Sequence, residues 1–172
     1  MMSDIINGNK FDGDKVEGNK YEINSIDLDI GILKEILELN PNLIKEYLTK
    51  LNSSEAVNNP DERTIPIEQK NLHNGLEDFY ENFIKRVEQK LALLDQFFKD
   101  NDYIDEIEEA ADSIKIFINT YANRNSMILE PMIFNIIIQE HTKSIEITKN
   151  KSIMKLVIFY LYRYCYIGCK NA

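Results

Sequence analysis

The chain has 172 residues, which is about the size of one domain, so a single compact core is expected. Its 44% hydrophobic and 28% charged residues are typical of a globular protein and argue against a disordered, collagen-like or membrane-embedded chain. Acidic residues outnumber basic ones, 29 to 20, and the net charge of −9 argues against a general nucleic-acid coat. Two cysteines without a secretory leader predict a cytoplasmic protein.

A five-residue repeat fills residues 7–21, where each unit reads polar, Gly, Asn or Asp, Lys, and then a large apolar residue. This pattern predicts a turn followed by a short β-like strand fragment, because Gly and Asn tolerate positive φ and the Lys-apolar pair suits an extended chain. Residues 1–24 are therefore predicted to form a multimerisation segment that makes a homo-oligomer. The alternative is a flexible polar tail that becomes ordered only on a partner or not at all. The predicted oligomerisation residues are Gly8, Phe11, Gly13, Val16, Gly18 and Tyr21.

Beyond the repeats the apolar residues follow the period of helices, which predicts an all-α bundle of five or six helices after a short β-like segment. Residues 25–51 are predicted to be a helical hairpin, with Asn40 as a cap and Pro41 opening the second helix. Residues 52–66 lack periodicity and are predicted to be a linker. Residues 67–170 are predicted to form a helical interaction domain.

Within this domain, apolar residues three and four apart predict one long helix and then a second that folds back across a turn near Asn101 and Asp102. The first seam consists of Leu72, Leu76, Phe79, Phe83, Val87, Leu91, Leu94 and Phe98. The second consists of Ile104, Ile107, Ala111, Ile114, Ile118 and Tyr121. Two more helices are predicted over residues 130–141 and 151–167, with Pro131 beginning the former and Gly168 ending the latter.

Side chains that could carry chemistry form no recognisable site in the sequence. Seven acids and no base lie between positions 100 and 112, but Glu-x-x-His pairs are lacking, so a solvated helix N-terminus is predicted there. Cys165 and Cys169 lie one helical turn apart, and no histidine has a spacing that completes a zinc site. We therefore expect no catalytic residue, no metal and no cofactor, and thus not an enzyme. The alternative is a small helical effector enzyme or toxin with an unrecognised site.

The last predicted helix is apolar on almost every side, and within residues 153–167 only Lys155 and Arg163 are charged. It is too short to cross a bilayer, so it is predicted to be a buried helix or a docking surface. Its tyrosines point around the helix and cannot all be interior, which favours docking of a protein partner rather than nucleic acid or membrane. The predicted partner-binding residues are Tyr160, Tyr162, Arg163, Tyr164, Tyr166 and Lys170.

Two stretches of the sequence, Arg63–Asn71 (RTIPIEQKN) and Tyr162–Lys170 (YRYCYIGCK), resemble the C-terminal helical domain of bacterial ABC-three component conflict systems. The shared features are a Pro-x-Glu-x-Lys opening and a Tyr-x-x-Cys-x-Ile-Gly ending, and the resemblance covers about residues 61–170. It implies a non-catalytic domain that links an effector to an ATPase in anti-phage defence. The five-residue repeats resemble N-terminal elements of bacterial conflict and signalling proteins, which implies multimerisation. Together these resemblances imply an adaptor whose effector is a separate polypeptide.

Overall fold

A computed structural model of the chain describes residues 31–49, 66–121, 129–143, 145–146 and 148–168. Its helices are α1 (Gly31–Leu39), α2 (Pro41–Thr49), α3 (Ile67–Asn74), α4 (Glu77–Phe79), α5 (Glu88–Asp100), α6 (Ile104–Tyr121), α7 (Pro131–Lys143) and α8 (Thr148–Arg163). A π turn (Tyr80–Ile84) and a 3-10 turn (Lys85–Val87) join α4 to α5 in one continuous helical run. The part of the chain that the structure describes contains no strand, and the predicted all-α fold is confirmed. The predicted β-like repeat of residues 1–24 lies outside it.

α8 is the central helix of the bundle and packs against α1, α5 and α7. Because its sequence lacks a polar side, it can be buried on several sides at once, and every residue from Val157 to Tyr162 is buried. Its exposed residues are confined to its first turns, where Lys155 reaches solvent. Most of this helix is therefore core, and only its two ends meet the surface.

α1 and α2 form the predicted pair and are joined at Asn40. The Asn40 side chain donates to the carbonyl of Ile36 at 3.2 Å and to the hydroxyl of Tyr103 at 2.7 Å. The first of these bonds satisfies a carbonyl that the end of α1 leaves open, which is the capping predicted from the sequence. Pro41 is the first residue of α2, as predicted, and the side chain of Ile44 is buried. Residue 40 thus closes α1 and ties the pair to the start of α6.

The predicted long helix over residues 72–98 is interrupted after its first turn. Gly75 has a φ of +62°, a left-handed conformation that favours glycine, and it ends α3. The backbone N–H of Leu76 donates to the carbonyl of Asn71 at 2.9 Å, which closes the turn. Leu72 is consequently 70% exposed, so its predicted place in the seam is wrong. The break divides one predicted helix into two, within a bundle predicted to have five or six helices.

α6 has the face that its spacing predicts, because Ile107, Ala111, Ile114 and Ile118 are all buried. The turn before it contains Asp102 with a φ of +57°, at the predicted position. Of the seven acidic residues around the start of α6, six are exposed and one, Glu106, is partly buried, so the predicted solvated helix N-terminus is observed. No helix within the described residues is long and apolar enough to cross a membrane.

Candidate functional site

The two stretches singled out in the sequence meet in space, where α3 contacts the end of α8. Lys70 of α3 is 1% exposed, and its Nζ donates to the backbone carbonyls of Tyr162 and, at 2.8 Å, Ile167. Carbonyls at the end of a helix have no partner within the helix, and a lysine can bind them. Because burying an ammonium group is costly unless it is well bonded, these bonds are what allow Lys70 to lie inside the domain. We call this contact the α3–α8 junction.

The backbone after α8 folds back on the helix so that its carbonyls face Lys70. Cys165 and Gly168 both have positive φ, +62° and +83°, and the amides of Tyr166 and Ile167 donate to the carbonyl of Leu161 at 2.9 and 3.2 Å. A Cβ at position 168 would lie 3.2 Å from both the Cε of Lys70 and the ring of Tyr162. Glycine is favoured here, because a side chain would be strained at this φ and its Cβ would require its neighbours to shift by a few tenths of an ångström. The Gly168 predicted to end α8 therefore lies in the junction, five residues beyond the last helical residue.

Tyr162 contributes its ring and its hydroxyl to the α3–α8 junction. Lys70 Nζ lies 4.1 Å from the ring centroid, and the hydroxyl donates to Oδ1 of Asn71 at 2.9 Å. Its side chain is 0% exposed, and burial raises the pKa of the hydroxyl above its ordinary value. The predicted partner-binding role of Tyr162 is therefore corrected: its side chain is enclosed by α3 and by Phe134 of α7 and does not reach the surface.

Asn71 and Asn74 extend the same network towards α7. Asn74 donates to the carbonyl of Lys70 at 2.7 Å, and its Oδ1 accepts the backbone N–H of Leu129 at 2.8 Å. Lys70, Asn71 and Asn74 thus connect three segments that are far apart in the chain. None of the three is a predicted site residue. The only signal for them in the sequence is the Pro-x-Glu-x-Lys opening, whose final residue is Lys70.

Tyr160 is also enclosed, one turn before the end of α8. It is 0% exposed, its ring packs on Phe98 of α5 with centroids 5.0 Å apart, and its hydroxyl donates to Oδ1 of Asp95 at 3.2 Å. Burial is the main cause that raises the pKa of its hydroxyl. The prediction that Tyr160 faces a partner is corrected for the same reason as Tyr162, because α5 covers this side of α8.

Arg163, Tyr164 and Tyr166 are partly exposed and lie together at the edge of the bundle. The rings of Tyr164 and Tyr166 pack against that of Tyr160, with centroids 4.7 and 5.7 Å apart. Burial, with the negative charge of Asp95 nearby, raises the pKa of Tyr164 to about 12. The side chains are thus held in place by the core while part of their surface faces solvent. We call these three residues the edge cluster.

Arg163 is fixed in this edge cluster by an acidic residue of α5. Its Nε donates to Oε1 of Glu88 at 3.1 Å, and the same oxygen accepts the hydroxyl of Tyr80. The charge-assisted bond from a planar guanidinium group orients the arginine along the surface. Lys170, the remaining predicted partner-binding residue, lies outside the described residues, as do Gly8, Phe11, Gly13, Val16, Gly18 and Tyr21.

Two further predicted features concern metals and cysteine. Within residues 31–49, 66–121, 129–143, 145–146 and 148–168, no group of three or more His, Cys, Asp and Glu side chains is placed to hold a metal ion. Cys165 is a buried free thiol in the turn after α8. His141 of α7 is buried, its Nδ1 lies 2.8 Å from the carbonyl of Ile137, and burial lowers its pKa to about 4.

Comparison with known proteins identifies one family. Its model, described as C-terminal domain 12 of the ABC-three component systems, matches residues 31–168. The match includes α1 and α2 as well as the stretches Pro66–Asn71 and Tyr162–Gly168 that meet at the α3–α8 junction, and it confirms the resemblance noted in the sequence. No curated protein and no solved structure matches the chain.

Proposed function

The chain belongs to the family of C-terminal domain 12 of the ABC-three component systems, and we propose that it is a non-enzymatic adaptor. Membership of this family indicates a role in a bacterial defence or conflict system, in which components work in multi-protein complexes. As an adaptor the protein would dock a protein partner, either the ATPase or the effector of the system, in the cytoplasm. The proposal that the chain docks a protein partner rests on the edge cluster.

The observation that carries the proposal is the rigid support of this edge cluster. Lys70 fixes the turn after α8, Tyr160 supports the rings of Tyr164 and Tyr166, and Glu88 orients Arg163. Partly exposed tyrosine and arginine side chains held in fixed positions are typical of residues that dominate binding energy at protein interfaces, because little conformational freedom is lost on binding. The edge cluster is therefore the docking surface that we propose.

Direct binding to the purified ATPase and effector components of the same system tests the docking proposal. We expect Arg163→Glu and Tyr166→Ala each to weaken binding at least about tenfold, as substitutions at central interface residues do. Lys149→Glu is the matched control, since it makes the same charge reversal at an exposed position of the same helix. Thermal unfolding of each variant, followed by circular dichroism, separates loss of binding from loss of fold. Equal binding by parent, Arg163→Glu and Tyr166→Ala would show that the docking surface lies elsewhere.

The homo-oligomer is the second part of the proposal and depends on residues 1–24. Three turn-and-strand units in one chain bury little apolar area, whereas copies from several chains can bury the large apolar residue of each unit together. Removing residues 1–24 should lower the mass measured by light scattering and leave the helical content of the rest unchanged. An unchanged mass would contradict self-association through the repeats.

A further inference from the structure

An exposed phenylalanine lies beside a lysine of α8. Phe83, in the π turn, is 49% exposed, so its predicted place in the seam is wrong. The Nζ of Lys155 lies 5.7 Å from the centroid of the Phe83 ring and 5.4 Å from that of Phe159, which positions the ammonium group next to the exposed ring. Lys151, one turn earlier on α8, lies on the same side of the helix. We call Phe83, Lys151 and Lys155 the basic patch.

The two lysines of the basic patch differ from most others in lacking an acidic partner. Among the residues that the structure describes, no carboxylate oxygen lies within 4 Å of the Nζ of Lys151 or Lys155. Glu81, the acidic residue closest to Phe83 along the chain, pairs with Lys85 at 2.8 Å. Two positive charges therefore lie unpaired beside exposed apolar surface, and such a surface suits a partner that presents carboxylates next to an apolar side chain.

The chain itself presents a surface of this kind on α6. Four exposed side chains lie within about 60° of one another around the helix axis, because they are spaced by four, three and four residues: Asp105, Glu109, Asp112 and Ile116. Ile116 is 69% exposed. Lys115 pairs with Asp112, but no basic group in the described part of the chain lies within 4 Å of the carboxylates of Asp105 and Glu109. We call Asp105, Glu109 and Ile116 the acidic patch.

The basic and acidic patches match in spacing as well as in charge. Lys151 and Lys155 are four residues apart on α8, and Asp105 and Glu109 are four residues apart on α6. Each pair is therefore separated by about 6 Å along its helix, so two helices that meet there can form both ion pairs at once. Phe83 on one surface and Ile116 on the other add apolar area that the contact would remove from water.

We propose that copies of the chain meet head to tail, with the basic patch of one copy on the acidic patch of the next. The net charge of −9 makes copies repel one another, so their approach is favoured where opposite charges face each other. The contact joins two different surfaces, and it can therefore add further copies in series. It involves neither the edge cluster nor residues 1–24, and it thus goes beyond the docking and the multimerisation proposed above.

Exchange of charge between the two patches tests this contact in the full chain. The double variant Lys151→Glu with Lys155→Glu should associate with itself at least about tenfold more weakly than the parent, because like charges then face each other. The double variant Asp105→Lys with Glu109→Lys should show the same loss. An equimolar mixture of the two double variants should regain the association of the parent, since each reversed patch then meets one of opposite charge. Sedimentation velocity measures the dissociation constants.

Matched variants outside the two patches control for charge and for apolar area. Lys90→Glu and Glu35→Lys each reverse a charge at an exposed position and should associate as the parent does. Phe83→Ala should weaken association about fivefold, whereas Leu72→Ala, which shortens an exposed apolar side chain of α3, should not. Circular dichroism during heating checks that each variant is folded.

Three results would overturn the proposal. The first is equal self-association of the parent and both double variants. The second is a mixture that fails to restore the association lost in each variant alone, because the two patches would then not meet. The third is a double lysine variant that keeps its self-association but loses binding to the ATPase or effector component, which would assign the basic patch to that partner instead of a second copy.

Discussion

The α3–α8 junction and the π turn both place irregular backbone in a helical bundle, and they do so in opposite ways. At the junction, carbonyls that leave the helical pattern are bound by a buried side chain from another helix, Lys70. At the π turn, the backbone hydrogen bonds stay within one helical run. Phe83, which the apolar spacing places in the seam, is 49% exposed there, so its predicted place in the seam is wrong. A buried ammonium group tolerates one arrangement only, because any other leaves it unbonded. The change of winding needs no such side chain, because the amides of Lys85 and Glu88 are bonded to carbonyls within the run.

Lys70→Met should break the junction with the largest effect. It keeps the length of the side chain but leaves the carbonyl of Ile167 without this donor and the carbonyl of Tyr162 with the amide of Cys165 alone. An unsatisfied buried acceptor costs about 1–3 kcal/mol and a lost hydrogen bond about 1 kcal/mol, so we expect a loss of up to about 4 kcal/mol in the free energy of unfolding. Urea unfolding measures it. Lys90→Met, the same change at an exposed position of α5, should cost less than about 0.5 kcal/mol. Equal losses in the two variants would mean that Lys70 does not hold the junction.

Acid pH should destabilise the core through His141 of α7. Its pKa is about 4 in the folded protein against 6.5 when unperturbed, because burial disfavours the charged ring. The unfolded chain therefore binds a proton that the folded protein does not, and stability falls as the pH drops from about 6.5 to about 4, by up to about 3 kcal/mol. Urea unfolding at a series of pH values measures the loss. In His141→Met this part of the pH dependence should disappear, and its persistence would assign the effect to other groups.

Gly75 and Gly168 both have a left-handed backbone, so alanine substitutions at the two positions separate the cost of backbone strain from the cost of steric crowding. Gly75 has nothing within 4 Å of an added Cβ, whereas at Gly168 the Cβ would meet Lys70 and Tyr162 at 3.2 Å. Left-handed strain costs about 1–2 kcal/mol, so Gly75→Ala should lose about 1 kcal/mol and Gly168→Ala about 3 kcal/mol once the junction shifts as well. Thermal unfolding of the pair measures the difference. Similar losses of stability in the two variants would show that the α3–α8 junction accommodates a Cβ at position 168 without a further loss.

The smallest effect is expected at the π turn. Phe83→Ala should cost less than about 1 kcal/mol, since half of the side chain is already in water, whereas Phe98→Ala on the same helical run should cost about 4 kcal/mol because its ring is buried. Urea unfolding of both variants checks the contrast. A large loss of stability in Phe83→Ala would mean that Phe83 is a core residue, as the α-helical spacing predicts.

The sequence predicts well those parts of the fold in which the spacing of the apolar residues matches the face that is buried. The faces of α1 and α6, the start of α2 at Pro41 and the start of α7 at Pro131 all follow from spacing and local backbone preference. Phe83 could not be placed in this way, because the π turn departs from the α-helical period and nothing in the local pattern indicates that departure.

The candidate site was predicted only in part for the same reason. The end of α8 is correctly identified, but Tyr160 and Tyr162 are core residues because α5, α3 and α7 cover the sides of α8 that carry them. The spacing of apolar residues does not distinguish Lys70 from a surface lysine, since the carbonyls that bind it are 92 and 97 positions away. Its place in the Pro-x-Glu-x-Lys opening is the one feature that marks it.

That separation along the chain bears on the order in which the domain folds. Until Tyr162 and Ile167 present their carbonyls, the ammonium group of Lys70 is better solvated by water, so α3 cannot settle into the core ahead of the end of α8. The loop between such distant segments has to close before their contacts can stabilise the chain, because the closure entropy is lost first. The junction is therefore expected to close after the rate-limiting step, and substitutions in it should speed unfolding while leaving the folding rate almost unchanged.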